Sequence, residues 1–182
     1  GVFDNTAGGS LISGDTLNLN ATQVSNGTGS RIASEKALTA TVTGFDQQGG
    51  QLFSKTALSL DLNHGQLNNQ NGLINAPVLV LKNLKDINNQ GGEISSAQAF
   101  TLTAQNLDNS NNGKLISNQG LTLRIANALD NVKGLIGAAS IDVRAGSLNN
   151  SGGSLVSRGD LELTVDGLLR NNASGLISAA QA

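Results

Sequence analysis

Three pairs of charged residues recur at one spacing and could act together. Asp108 and Asp130, Asp142 and Glu162, and Arg124 and Arg144 stand 20 or 22 residues apart. If such a spacing marks neighbouring strands, stacked about 4.8 Å apart, each carboxylate pair approaches the roughly 5 Å separation of the two carboxyls in a retaining glycosidase. The alternative is a modest surface patch whose charges offset one another. Aromatic residues make up only 2 % of the chain, leaving little to stack on a sugar ring, and no long insertion is present to wall a cleft. The surface patch is the better reading, and no enzyme is expected.

Other chemistry is thinner. His64 is the only histidine, and there is no cysteine, so a transition-metal site has no ligand set. Gly-Gly pairs occur, but no Asp follows them at the spacing of a calcium-binding nonapeptide, so neither metal nor cofactor is expected. The 11 Lys and Arg are scattered without a basic run, which argues against nucleic acid as a partner. No apolar run is long enough to span a membrane, and no signal peptide opens the chain. Thr101 and Thr122 fall at one place in successive units, but Val80 and Asp142 flank them there, which breaks the flat threonine array of an ice-binding face.

What positions these residues is an internal repeat. An apolar residue opens each unit, at Phe3, Val24, Phe45, Leu67, Ile87, Leu107, Leu129, Leu148 and Leu169, 19 to 22 residues apart. A period in this range, sustained over the whole chain, marks a solenoid whose core exists only between coils. The coils read 3–23, 24–44, 45–66, 67–86, 87–106, 107–128, 129–147, 148–168 and an incomplete one from Leu169. An alternating apolar pair recurs in seven of them, begun by Leu17, Leu58, Leu79, Phe100, Leu121, Ile141 and Leu161. Period-two alternation predicts a strand with one buried face, so these residues should form one interior row. The units are too short and too rich in glycine for a helical solenoid.

Two further positions recur. An amide lies two places after each start, at Asn5, Asn26, Gln47, Asn69, Asn89, Asn109, Asn131, Asn150 and Asn171. Eight of these nine are Asn, where a turn alone would accept Asp, Ser or Gly. A ladder of carboxamides along the axis would explain this; tolerance of a left-handed turn is the alternative. A corner glycine follows, at Gly9, Gly29, Gly50, Gly72, Gly92, Gly113, Gly134, Gly153 and Gly175. Either a positive φ or a lack of room for a side chain would require it. An apolar residue two or three places later marks a second strand, as at Leu11, Ile74 and Leu115. Pro77, the only proline, falls at a corner, where a missing N–H costs least.

The phrases Ile87-Asn-Asn-Gln-Gly-Gly-Glu-Ile-Ser-Ser followed by Phe100-Thr-Leu, and Leu148-Asn-Asn-Ser-Gly-Gly-Ser-Leu-Val-Ser followed by Leu161-Glu-Leu, resemble the 20-residue repeat of filamentous haemagglutinin. The likeness extends over essentially all nine coils. Val24-Ser-Asn-Gly-Thr-Gly and Phe45-Asp-Gln-Gln-Gly-Gly depart from it. The resemblance implies an all-β, right-handed parallel β-helix of about nine coils. It also implies a secreted exoprotein of the bacterial cell surface, exported by an outer-membrane two-partner secretion transporter. Residues 1–182 would be a single β-helix segment excised from a much longer filament. The segment would act as a structural rod, projecting an adhesive, receptor-binding or toxin-delivering part toward a host or target-cell receptor. Alternatively, the rod surface is itself an adhesin, for glycan or protein. Open strand edges at both ends would let the fragment stack end to end.

Overall fold

The computed structural model describes residues 1–180. Its described residues form strands and turns without a helix. Among the described residues no helix is long and apolar enough to cross a membrane. Every strand pairing is parallel, as a solenoid requires. One sheet has nine strands, one per coil, running from Ser10–Ser13 through Glu93–Ser96 to Leu176–Ala179. The other has 13 strands and lines the remaining two sides. The chain is a parallel β-helix: nine levels joined by eight full turns.

Each side has its own inward row. On the first side, Leu38, Leu58, Leu79, Phe100, Leu121 and Ile141 are all buried. Leu17 and Leu161, nearest the ends, are half-buried. The coil 24–44, which lacks an obvious apolar pair, supplies Leu38 and Ala40 to this row, with Leu38 in register between Leu17 and Leu58. Residues between these row members, such as Asn18, Thr101 and Glu162, face outward. The second inward row lies on the nine-stranded sheet, with Ile32, Leu52, Ile74, Ile94, Leu115, Ile136 and Leu155 all at 0 % exposure.

The third side consists of the unit starts themselves. Phe3, Val24, Phe45, Leu67, Ile87, Leu107, Leu129, Leu148 and Leu169 follow one another in register. In several coils this segment fuses with the first side into one strand that bends round a corner, as in Ala57–Asn68 and Gly120–Asp130. Bulges absorb the variation in repeat length there: the register shifts between Lys82 and Ile87 and between Ile125 and Ala128. Asn63, His64 and Asn83 take positive φ at that corner.

The three rows meet in a single core. Among the described residues, five of the six large apolar side chains that are exposed sit at or beside the first or last coil, namely Val2, Ile12, Leu168, Leu169 and Leu176. A terminal coil covers its row from one side only. Pro77 is at a corner, where its carbonyl accepts from Gln98 N (2.9 Å) and Ser96 Oγ (2.9 Å).

Candidate functional site: the corner ladders and the surface charges

The recurring amides meet along the axis. Asn5 Nδ2 donates to Asn26 Oδ1 (2.9 Å), Asn26 to Gln47 Oε1 (3.0 Å), and Gln47 Nε2 to Asn69 Oδ1 (3.0 Å). Asn69 donates to Asn89 (2.8 Å), Asn89 to Asn109 (2.8 Å), and Asn109 to Asn131 (2.9 Å). Asn131 donates to Asn150 (2.7 Å) and Asn150 to Asn171 (2.8 Å). The second hydrogen of each donor reaches a backbone carbonyl where the next coil enters the nine-stranded sheet, for example Asn89 to Lys114 O (3.0 Å) and Asn109 to Leu135 O (3.1 Å). From Asn26 to Asn150 these amides are fully buried; Asn5 is 7 % exposed, and Asn171 at the far end is exposed. A carboxamide has two donors and an acceptor, so it satisfies itself and hands the pattern on. Gln47 keeps the series by reaching with its longer arm.

The corner glycines lie against this ladder. A Cβ on Gly113 would stand 2.5 Å from Asn89 O and 2.7 Å from Asn109 Oδ1. Gly72, Gly92, Gly134, Gly153 and Gly175 are confined in the same way, between their own coil's amide and a carbonyl of the preceding coil; Gly9 meets its own Asn5, and Gly50 meets the carbonyl and amide of Asn26 in the preceding coil. Lack of room therefore decides these eight positions. The positive φ belongs to the residue before, where Gly49, Gly91, Asn71, Asn112 and even Lys133 are found.

Gly29 is the exception and corrects the expectation. It occupies that preceding, left-handed position, with φ +76° and nothing near a Cβ. Ser30 takes the confined place, donating its N–H to Gly27 O as Gly50 N does to Gln47 O. Ser30 is 1 % exposed, and its Oγ has no hydrogen-bond partner. From amide to confined place this coil spans four residues, as do those of Asn5, Asn109 and Asn171, but here the glycine stands one place early.

Two other rows carry no mark in the unit as read from sequence. One place before the ladder, Asp4, Asp46, Asn68, Asn88, Asp108, Asp130 and Asn149 each accept the N–H two residues on. This is the Asx turn, and it explains why Asp and Asn interchange there. At the corner leaving the nine-stranded sheet, Ser34, Ser54, Ser96, Ser117 and Ser157 are buried and donate to nearby carbonyls. The signal for this second row was a Ser or Ala two places after each apolar residue of that strand.

The charged pairs do stack in register: Asp108 with Asp130, Asp142 with Glu162, and Arg124 with Arg144. Asp108, Asp130, Arg124 and Asp142 are committed to structure, whereas Arg144 and Glu162 are exposed. Asp108 Oδ1 accepts from Ser110 N (3.0 Å) and Oγ (2.6 Å), and its Oδ2 from Gln90 Nε2 (2.8 Å). Arg124 forks onto Asp142, with Nη1 to Oδ1 at 3.0 Å and Nη2 to Oδ2 at 2.6 Å. That hydrogen bonding holds the Asp142 carboxyl below the usual carboxylate range. Asp4 and Asp61 are lowered too, by hydrogen bonds from Thr6 and from Asn63 and Asn83 respectively. A general acid needs the opposite shift.

His64 is exposed beside an open surface trough of about 540 Å³ that also touches Gln23, Asp46 and Lys85. A second trough of about 570 Å³, floored by Leu67, Ile87 and Leu107, continues along the same side. Among the described residues no three His, Cys, Asp or Glu side chains converge as metal ligands would. No curated protein and no solved structure matches the chain. A family model does: residues 125–182 match the haemagglutinin repeat, a structural and adhesin repeat rather than an enzyme family. The coils they form continue in the same pairing back to Val2, so the matched residues and the rest of the chain make one solenoid, consistent with a filamentous haemagglutinin-type repeat region.

Proposed function

We propose that this chain is a structural rod segment of a secreted, cell-surface filamentous exoprotein. The observation that carries the reading is the unbroken amide ladder from Asn5 to Asn171, running beside one continuous core. The levels repeat one plan, and Asp108, Asp130, Asp142 and Arg124, which could have done chemistry, serve turns and an ion pair. The rod holds an adhesive, receptor-binding or toxin-delivering part away from the bacterial cell. A chain without cysteine passes unfolded through an outer-membrane two-partner secretion transporter with no disulfide to obstruct it. Folding coil upon coil follows on the far side.

The test compares two deletions in the full-length exoprotein. Removing the whole coil 107–128 keeps all rows in phase and leaves surface display and cell attachment nearly intact. Removing half of it shifts inward residues outward and abolishes display. Alanine at Asp108, Asp130, Arg124 or Arg144 leaves attachment unchanged, whereas Leu102→Lys, at a fully buried site, prevents display. A harmless half-coil deletion, together with loss of attachment from one surface alanine, would make the rod's own surface the binding site instead.

A further inference from the structure

The outward face of the nine-stranded sheet differs from that of the first side. On the first side, Thr39, Ser59, Thr101, Thr122 and Asp142 fill the outward row, and Val80 is its one large apolar member. On the nine-stranded sheet, large apolar side chains recur outside, and over the six central rungs their order is symmetric except at Ile116, whose counterpart is Ser95. Leu73, Glu93, Lys114 and Leu135 occupy four successive rungs of one outward row. In the neighbouring row, Phe53 lies one rung before this group and Val156 one rung after it. All are half-buried except Lys114, which is exposed.

A two-fold axis along the strand direction, midway between the Glu93 and Lys114 rungs, reverses the order of rungs but keeps each row opposite itself. Leu73 then meets Leu135, Phe53 meets Val156, and Glu93 meets Lys114. At these outer positions apolar meets apolar, Ile116 meets Ser95, and the two opposite charges at the centre meet twice. Within one chain neither charge is committed to an ion pair: the three ion pairs among the described residues lie elsewhere.

We propose that this face joins two copies of the chain, side by side and antiparallel, in an isologous contact centred on Glu93 and Lys114. The six rungs from Phe53 to Val156 span roughly 30 Å at the usual strand spacing. With a strand width of roughly 13 Å, the contact buries about 800 Å² in total, at the weak end of protein interfaces. Half-association is therefore expected near roughly 10⁻⁴ M. The inference does not depend on the rod's role in the exoprotein.

Sedimentation equilibrium of the chain from about 10 µM to about 1 mM tests it, with thermal melts to confirm that each variant is folded. The wild type should pass from monomer to dimer. Glu93→Lys and Lys114→Glu should each weaken association at least about tenfold, and the double charge swap should restore it. Should Glu93→Lys fail to fold, Glu93→Gln gives a smaller loss in the same direction. Facing sheets lie about 10 Å apart, beyond disulfide reach, so a short bis-maleimide serves as crosslinker. A mixture of Leu73→Cys and Leu135→Cys chains should crosslink, and each alone should not. A monomer at 1 mM overturns the proposal. So does association indifferent to both charge variants, which assigns it to the open ends, or Leu73→Cys chains that crosslink to themselves, which indicates a parallel arrangement.

Discussion

Each coil turns through two polar corners, and the two obey different rules. Where the third side passes into the nine-stranded sheet, all nine levels carry a carboxamide. Where the chain leaves that sheet, the matching row reads Ser13, Ser34, Ser54, Ala76, Ser96, Ser117, Ala138, Ser157, Ala179, and alanine is tolerated three times. The difference lies in what each group can pass on. A serine hydroxyl has one donor and spends it on a nearby carbonyl, as Ser117 Oγ does on Gln98 O (3.0 Å), so a missing serine is a local loss. A carboxamide accepts from one neighbour and donates to the next, so a missing amide strands the groups above and below it. Of the two polar corners, the strict one is that whose side chain bonds to its own counterpart along the solenoid axis.

The largest break in that comparison is a charge in the ladder. Asn109→Asp removes the donors to Asn131 Oδ1, Leu135 O and Gly113 O and leaves a carboxylate facing those three acceptors. The expected cost is about 4 kcal/mol at neutral pH. The introduced carboxyl has its folded-state pKa raised above its unfolded value. Stability therefore falls as pH rises from the unfolded pKa to the folded one and then levels off. Acid should partly rescue this variant and no other in the series. Denaturant melts between pH 4 and pH 8 check it; a neutral substitution, or one indifferent to pH, removes the ladder's claim.

Next comes crowding at the same corner. Gly113→Ala puts a methyl 2.5 Å from Asn89 O, which is backbone and cannot step aside. About 3 kcal/mol is expected. The φ at Gly113 is not in the left-handed region, so the loss is one of space, and Gly113→Ser should be at least as damaging. At Gly29, which is left-handed but open, alanine should cost only the strain of its backbone, about 1–2 kcal/mol.

A matched pair of deletions then measures the corners directly. Asn109→Ala should cost about 2–3 kcal/mol, since Asn89 Nδ2 and Asn131 Oδ1 lose partners at fully buried sites. Ser117→Ala should cost about 1 kcal/mol or less, because the Gln98 and Gln119 groups it serves are near solvent. Equal losses at the two corners would refute the distinction.

Much of this was legible from composition and period. The alternating pairs such as Leu58 and Leu60 identified one buried side, because period-two hydrophobicity translates directly into an inward row. The near-uniform Asn identified the strict corner, because no turn requires that amide in eight coils of nine. The third side was less visible. Its strands are as short as Gln23–Ser25 and offer one inward residue each, too few to show alternation. Leu38 was hidden because its partner, Ala40, is small. The serine row was hidden because Ser and Ala share it, and the Asp108 and Asp130 pair suggested chemistry because an Asx turn and a catalytic carboxylate use the same residue type. Gly29 misled because two adjacent places both favour glycine for different reasons, conformation at one and space at the next, and sequence shows only the letter.

That misplacement leads to the smallest expected effect, and its sign is the reverse of the others. Ser30 stands where eight other coils have glycine, with its hydroxyl buried and unpartnered. Leaving a hydroxyl so placed costs about 1–3 kcal/mol, whereas glycine loses up to about 1 kcal/mol more backbone entropy than a residue with a side chain. The first term wins by a narrow margin, and Ser30→Gly should stabilise the chain by about 1 kcal/mol or less. Ser30→Ala separates the two causes, because it removes the hydroxyl and keeps the Cβ. If alanine stabilises as much as glycine, the unpaired hydroxyl is the defect. If only glycine does, the defect is crowding against the ladder, as at Gly113. If both destabilise, as read from the midpoint of thermal or denaturant melts, the hydroxyl is satisfied by a bound water and the second coil is as well made as the rest.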